Sequence, residues 1–182
     1  ENLNDLLRQR HEGREPVIQM CDGQDYNEPA DFTTIVGNCL GHSRRKFVDV
    51  IEQFPEECRR VLLDLREVYR VDARAKKQGL SNEDRLRLHQ TTSGPIMDGL
   101  KVWCESQFNE KKVEKNSGLG GAISYLLNRW PKLTLFLQQA GAPIDNNIGY
   151  AARGINFVMP RPRLCRVEAT RRPKVRWLPG CV

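Results

Sequence analysis

The feature that most constrains this chain is a change of period. Residues 17–21, Val17-Ile18-Gln19-Met20-Cys21, form a short and mostly apolar run between turn signals, the pattern of a buried strand. From Thr34 the spacing becomes helical: Ile35, Val36, Cys39, Leu40, Phe47, Val48, Val50 and Ile51 are expected to begin a helical region. Pro55 with Glu56 and Glu57 makes a good first turn, because proline lacks the donor that would be orphaned there and acids suit the positive helix end. Cys58, Val61, Leu62, Leu65, Val68 and Tyr69 follow as an apolar stripe. That helix should run to about Lys77, roughly 35 Å at 1.5 Å per residue, and stop at Gly79. The pattern predicts a mostly helical chain with one strand near residues 17–21 and helices dominating 36–140.

Finer punctuation divides the helical region. Ser81 reads as an N-cap with acids behind it, and Thr91-Thr92-Ser93-Gly94-Pro95 as a break. Ile96, Leu100, Trp103, Cys104 and Phe108 give the next amphipathic helix, Leu119 to Trp130 another, and Pro131 to Ala140 a last one closed by Gly141. Trp103, Tyr125, Trp130 and Phe136 fall at packing positions. His11 and His89 have no partner in sequence and read as surface residues. Residues 3–10 have the spacing of a helix end.

Charge is unevenly placed. Arg153 to Val182 holds eight basic residues against Glu168, while the remainder holds 21 basic and 22 acidic residues, so the body reads as electrostatically ordinary. The tail's arginines and prolines have few apolar partners, and a segment of that kind is expected to lack a fixed fold. Its contact with nucleic acid would be electrostatic and indifferent to sequence. The six cysteines are scattered without a C-x-x-C pair and read as reduced thiols, mostly small core residues. No apolar run approaches the ~20 residues that span a bilayer. Nor do residues 1–10 have a signal-peptide layout, so a cytoplasmic location is expected.

Four strings carry more than packing. They are Gln19-Met20-Cys21-Asp22-Gly23, Cys39-Leu40-Gly41-His42-Ser43-Arg44-Arg45-Lys46-Phe47, Ser117-Gly118-Leu119-Gly120-Gly121-Ala122-Ile123-Ser124-Tyr125-Leu126-Leu127, and Gly141-Ala142-Pro143-Ile144-Asp145-Asn146-Asn147. Their order and spacing resemble the catalytic region of DDE-type insertion-sequence transposases of the IS-sixty-six class, over about residues 1–148.

The resemblance implies a partial ribonuclease-H-like α/β core carrying a large helical insertion. The core remnant would occupy residues 1–33, the helical region 34–140 and the Asp-Asn-Asn block 141–148, with 149–182 an off-pattern tail. It also implies three acids holding two Mg²⁺ or Mn²⁺ ions, DNA as partner and a multimeric intact enzyme. Two ions about 3.5–4 Å apart can activate the attacking oxygen and stabilise the leaving one in strand nicking and transfer. By resemblance Asp22 is the second acid of the triad and a metal ligand. Read alone, Asp22-Gly23 is rather a strand-ending turn, and Asp25 and Asp31 read as solvated loop residues.

His42, Arg44 and Arg45 would lie near DNA phosphates by resemblance, or on a plain surface helix start by their own pattern. His42 and Cys39 lack the second ligand pair of a structural zinc site. The family's last block continues Asp-Asn-Asn-x-x-Glu-Arg, whereas Asp145, Asn146 and Asn147 are followed by Tyr150 and Ala151 where glutamate and arginine belong. The first acid would lie on an earlier strand than this sequence holds. The expectation is an inactive transposase fragment. A non-catalytic nucleic-acid binder and a helical interaction module are the alternatives.

Overall fold

The computed structural model describes residues 16–21 and 33–146. The expectations for residues 3–10, for His11, Asp22, Asp25, Asp31, Asn147 and Tyr150, and for the tail 149–182 lie outside the described residues.

Strand β1 (Val17–Cys21) forms as its apolar run suggests. A second strand, β2 (Thr34–Asn38), lies parallel to it in register, Val17 opposite Thr34 through Cys21 opposite Asn38. This corrects the expectation of helix from Thr34. Thr34, Ile35 and Val36 are β-branched and fit a pleated surface, since a second heavy atom on Cβ restricts χ1 in a helix. The helical steps from Val36 to Cys39 and Leu40 were a coincidence of spacing across the strand's end. The chain is therefore mostly helical with a two-stranded parallel sheet.

Helix α1 (Leu40–Val48) starts directly after β2. Helix α2 (Pro55–Lys77) has its proline in the first turn, Glu56 and Glu57 at the positive end, and Arg74, Lys76 and Lys77 at the negative end. It ends where Gly79 adopts a left-handed φ of 62°, a conformation that costs glycine nothing. Ser81 caps α3 (Asn82–Leu88), its hydroxyl accepting from the Asp84 amide at 3.1 Å.

The expected break at residues 91–95 is not a break. His89–Ser93 is a wide π-helical turn that passes the chain from α3 into α4 (Gly94–Asn109) without interrupting the axis. Pro95 then falls in the first turn of α4, where its missing donor is harmless. Helix α5 (Gly118–Asn128) is capped by Ser117, which accepts from the Gly120 amide at 3.0 Å. The expected last helix is shorter than its spacing suggests. It divides into α6 (Trp130–Leu133) and a 3₁₀ turn, Leu135–Leu137. Thr134 separates them, its hydroxyl donating to the Trp130 carbonyl at 2.8 Å.

One core joins these elements: Phe47 of α1, Leu65 of α2, Leu100 of α4 and Ile123 of α5 are all fully buried in it. Trp130 and Phe136 are buried as expected, while Trp103 and Tyr125 are half-buried. Cys21, Cys39, Cys58 and Cys104 are free and buried. Burial pushes the Cys58 thiol up, helped by Glu57, and pushes Cys104 up to about 12, helped by Glu105. Both are packing residues. No helix among the described residues is long and apolar enough to cross a membrane.

Candidate active site at the strand ends

Three of the four strings meet at the carboxyl ends of β1 and β2. The Cys39 amide donates to the Cys21 carbonyl at 3.0 Å, and the next amide, Leu40, donates to the Ile144 carbonyl at 3.0 Å. The Cys39 thiol donates to Asn146 Oδ1 at 3.2 Å, across 107 residues of sequence. The end of β1, the start of α1 and the Asp-Asn-Asn block are thereby tied to one another. Asp22 follows Cys21 directly in sequence, and its placement lies outside the described residues.

The surroundings of this junction are largely closed. Asn38, Cys39, Leu40 and Asp145 are all buried. Tyr69 reaches the junction from α2, and a Cβ placed on Gly41 would sit 3.5 Å from its hydroxyl. Burial above all, and then the Asp145 carboxylate, pushes the Tyr69 phenol up and keeps it protonated; Arg44 acts weakly the other way. The sequence offered Tyr69 only as part of an apolar stripe. Its polar tip was the available signal, because a buried phenol usually finds a polar partner.

The fourth string supports the junction from the side. Helix α5 packs on α1, and it comes close because Gly118 has no Cβ: one placed there would stand 3.0 Å from Val50. At Gly120 a Cβ would run into the Glu114 and Lys115 carbonyl oxygens, so the turn entering α5 requires glycine. These glycines thus permit a tight turn and a close approach.

Among the described residues, few side-chain oxygens stand at the strand ends. Asp145 brings a carboxylate and Asn146 an amide, beside the thiol of Cys39. Among the described residues no group of three His, Cys, Asp or Glu side chains stands together that could hold a metal ion. One carboxylate next to a soft thiol is not the hard-oxygen shell that Mg²⁺ requires. The described residues thus do not fit a two-metal centre by themselves.

Of the expected DNA-contacting residues, Arg44 and Arg45 are exposed on α1, whereas His42 is half-buried beside the junction. Lys46, also exposed, holds its ammonium 5.6 Å from the centre of the Tyr125 ring on α5. The Arg129 guanidinium stands 4.2 Å from the same ring centre.

A second polar cluster lies away from the junction. Asp72 of α2 accepts from Lys76 at 2.8 Å, from Arg85 Nε at 2.8 Å and from His89 Nε2 at 3.2 Å. His89 Nδ1 meets the Ser93 hydroxyl at 2.9 Å, and Phe136 sets its ring edge-on to the imidazole at 5.0 Å. This corrects the surface reading of His89: it is 1% exposed. Its partner lies 17 residues away on another helix, a distance that no local pattern reports. Carboxylate, imidazole and hydroxyl in a row suggest nucleophilic catalysis, but a nucleophile must reach its substrate. Ser93 is fully buried, so the row is a structural clamp between α2 and the π turn. Burial alone would raise Asp72; the hydrogen bonds from His89 and Lys76 and the charge of Arg85 outweigh it and hold the carboxyl far below its usual range.

The family model described as "Transposase IS66 family" matches residues 4–152. Two uncharacterised proteins of Sinorhizobium fredii are similar in sequence. Protein y4jD is 36% identical over 111 residues, covering 60% of this chain and 21% of its own length. Protein y4hP is 28% identical over 120 residues, with the same shares. This chain thus spans about a fifth of the length of the curated relatives it matches. No solved structure matches it.

Proposed function

Because the chain belongs to the IS66 transposase family, we propose that it is the part of a DDE transposase that carries the second acid and the Asp-Asn-Asn block, and that this version does not cut DNA. The β1–β2 pair is read as two neighbouring strands of a ribonuclease-H-like core, and the α2–α4 arm as the helical insertion. Asp22 is the acid at the end of β1. A carboxylate there would be held by a paired strand, which is how a metal-binding acid keeps its position when the ligands come from separate segments.

The observation that carries this reading is the Cys39–Asn146 hydrogen bond, with the two backbone bonds beside it. It supports the convergence that a nuclease centre needs, at residues that belong to the family's strings. Inactivity rests on Tyr150, where the family pattern has glutamate. A phenol there cannot replace a carboxylate as a hard anionic ligand, and the matched region extends to residue 152, so the position lies inside the family alignment.

The test is a nicking and strand-joining assay with the full chain, Mg²⁺ or Mn²⁺, and supercoiled and linear duplex DNA. Neither product is expected. Metal-dependent nicking that disappears in Asp22→Ala would overturn the inactive reading and support Asp22 as the working acid.

A further inference from the structure

The average charge of the body conceals a segregation. Residues 55–110, spanning α2 to α4, hold ten acids and ten bases. Seven of those bases, Arg60, Arg66, Arg70, Lys76, Arg85, Arg87 and Lys101, each meet a carboxylate. Stretches 33–48 and 115–144 hold six bases and no acid: Arg44, Arg45, Lys46, Lys115, Arg129 and Lys132. These two stretches are the ones that the α1–α5 contact brings side by side. Among the described residues no carboxylate stands within ion-pair distance of Arg44, Arg45 or Lys46.

We propose that Lys46 of α1 and Arg129 after α5, both held on the ring of Tyr125, form a phosphate clamp for the backbone of duplex DNA, continued along α1 by Arg45 and Arg44 towards the strand-end junction. The proposal rests on the transposase reading for its choice of DNA. An aromatic face attracts a cation within about 6 Å of its centre, and both cations satisfy that distance on one ring. Long basic side chains are otherwise free to sample many rotamers, and ordering them on binding weakens the complex. The Tyr125 ring removes part of that loss in advance, so it acts as a positioning residue and the two cations make the contacts. Arg44, four residues after Leu40, whose amide is bonded to the Ile144 carbonyl, leads the track to the junction, and its charge is felt by the Tyr69 phenol there. The exposed part of the track, Arg44 to Lys46, carries no acid, which suits a polyanion; the Asp145 carboxylate at its far end is buried.

The experiment measures affinity of the full chain for a labelled duplex at several salt concentrations. Each phosphate contact contributes a slope near −0.9 in log K against log salt. The doubly substituted Lys46→Gln/Arg129→Gln chain should therefore bind with a slope shallower by about 2. Arg66→Gln/Arg70→Gln removes the same charge from α2 and should leave the slope unchanged. Tyr125→Leu should weaken binding several-fold with the slope nearly intact, and Tyr125→Phe, which keeps the ring, should restore it. Equal slopes for the Lys46/Arg129 and Arg66/Arg70 pairs would overturn the clamp while leaving the transposase reading standing. Failure of the full chain to bind any duplex would overturn both.

Discussion

The α2–α4 arm and the face made by α1, α5 and the strand ends are built from similar residues used in different ways. On the arm, bases and acids alternate at helical spacing and neutralise each other, as in Arg60–Asp64 and Arg70–Glu67. Such exposed pairs add little stability; they keep the surface soluble and electrically quiet. Asp72 is the exception there, a buried anion surrounded by Lys76, Arg85 and His89. On the other face Lys46 and Arg129 stand over an aromatic ring, and the polar groups converge on a junction between distant segments. Net charge over a whole body can thus be near zero while the bases of one helix, Arg44, Arg45 and Lys46 on α1, meet no carboxylate among the described residues.

Four results would sharpen or break that contrast, beginning with the largest. Asp72→Ala leaves buried partners without their counter-charge, and removing one member of a buried ion cluster costs about 3–5 kcal/mol. Urea unfolding at neutral pH reads this directly. Because the folded-state pKa of Asp72 is depressed, its stabilisation is present above the unfolded value of about 3.9 and is lost as pH falls below it. Wild-type stability should therefore drop steeply below about pH 4, and that drop should be blunted in Asp72→Ala. If the substitution changes stability by less than about 1 kcal/mol, the clamp is not what holds the arm together.

The second result compares adjacent glycines. Gly120→Ala forces a Cβ against two carbonyl oxygens and should cost about 1–3 kcal/mol. Gly121→Ala meets open space on a helix and should be neutral or stabilising by up to about 1 kcal/mol. Matching melting temperatures for the two would contradict the tight turn that seats α5 on α1.

Third, replacing Arg44, Arg45 and Lys46 together by glutamine should leave stability within about 0.5 kcal/mol, because exposed side chains without packing roles rarely matter more. A large loss would mean that α1 uses these residues to fold and not to bind. The smallest effect concerns thiols. Cys58 and Cys104 in the native chain should resist an alkylating reagent at pH 8 and react only on unfolding, since burial raises both. Rapid labelling of either in native buffer would show that the core opens readily.

Local chemistry was legible in the sequence. Pro55 and Gly79 marked both ends of α2, and Ser81 marked the cap of α3. The resemblance picked out the Cys39 string and the Asp145-Asn146 block separately, and their contact across 107 residues became visible only in the structure. What escaped was long-range or ambiguous in period. A five-residue strand at Thr34–Asn38 is too short to outvote helical steps that continue past its end. The π turn hid behind a Thr-Thr-Ser-Gly-Pro string that usually breaks helices. His89 found its partner 17 residues away, and Tyr125 gained Lys46 only when α1 folded against α5, whereas Arg129 stands four residues along its own stretch. The roles given to Asp22 and to the tail 149–182 fall outside the described residues.

Hydrogen–deuterium exchange of the full chain, with and without a duplex oligonucleotide, tests the contrast between the two regions most directly. The account predicts slower exchange on DNA binding in α1 and the C-terminal turn of α5, with α2 to α4 unchanged. Protection confined to residues 55–110, with α1 and α5 unaffected, would contradict it.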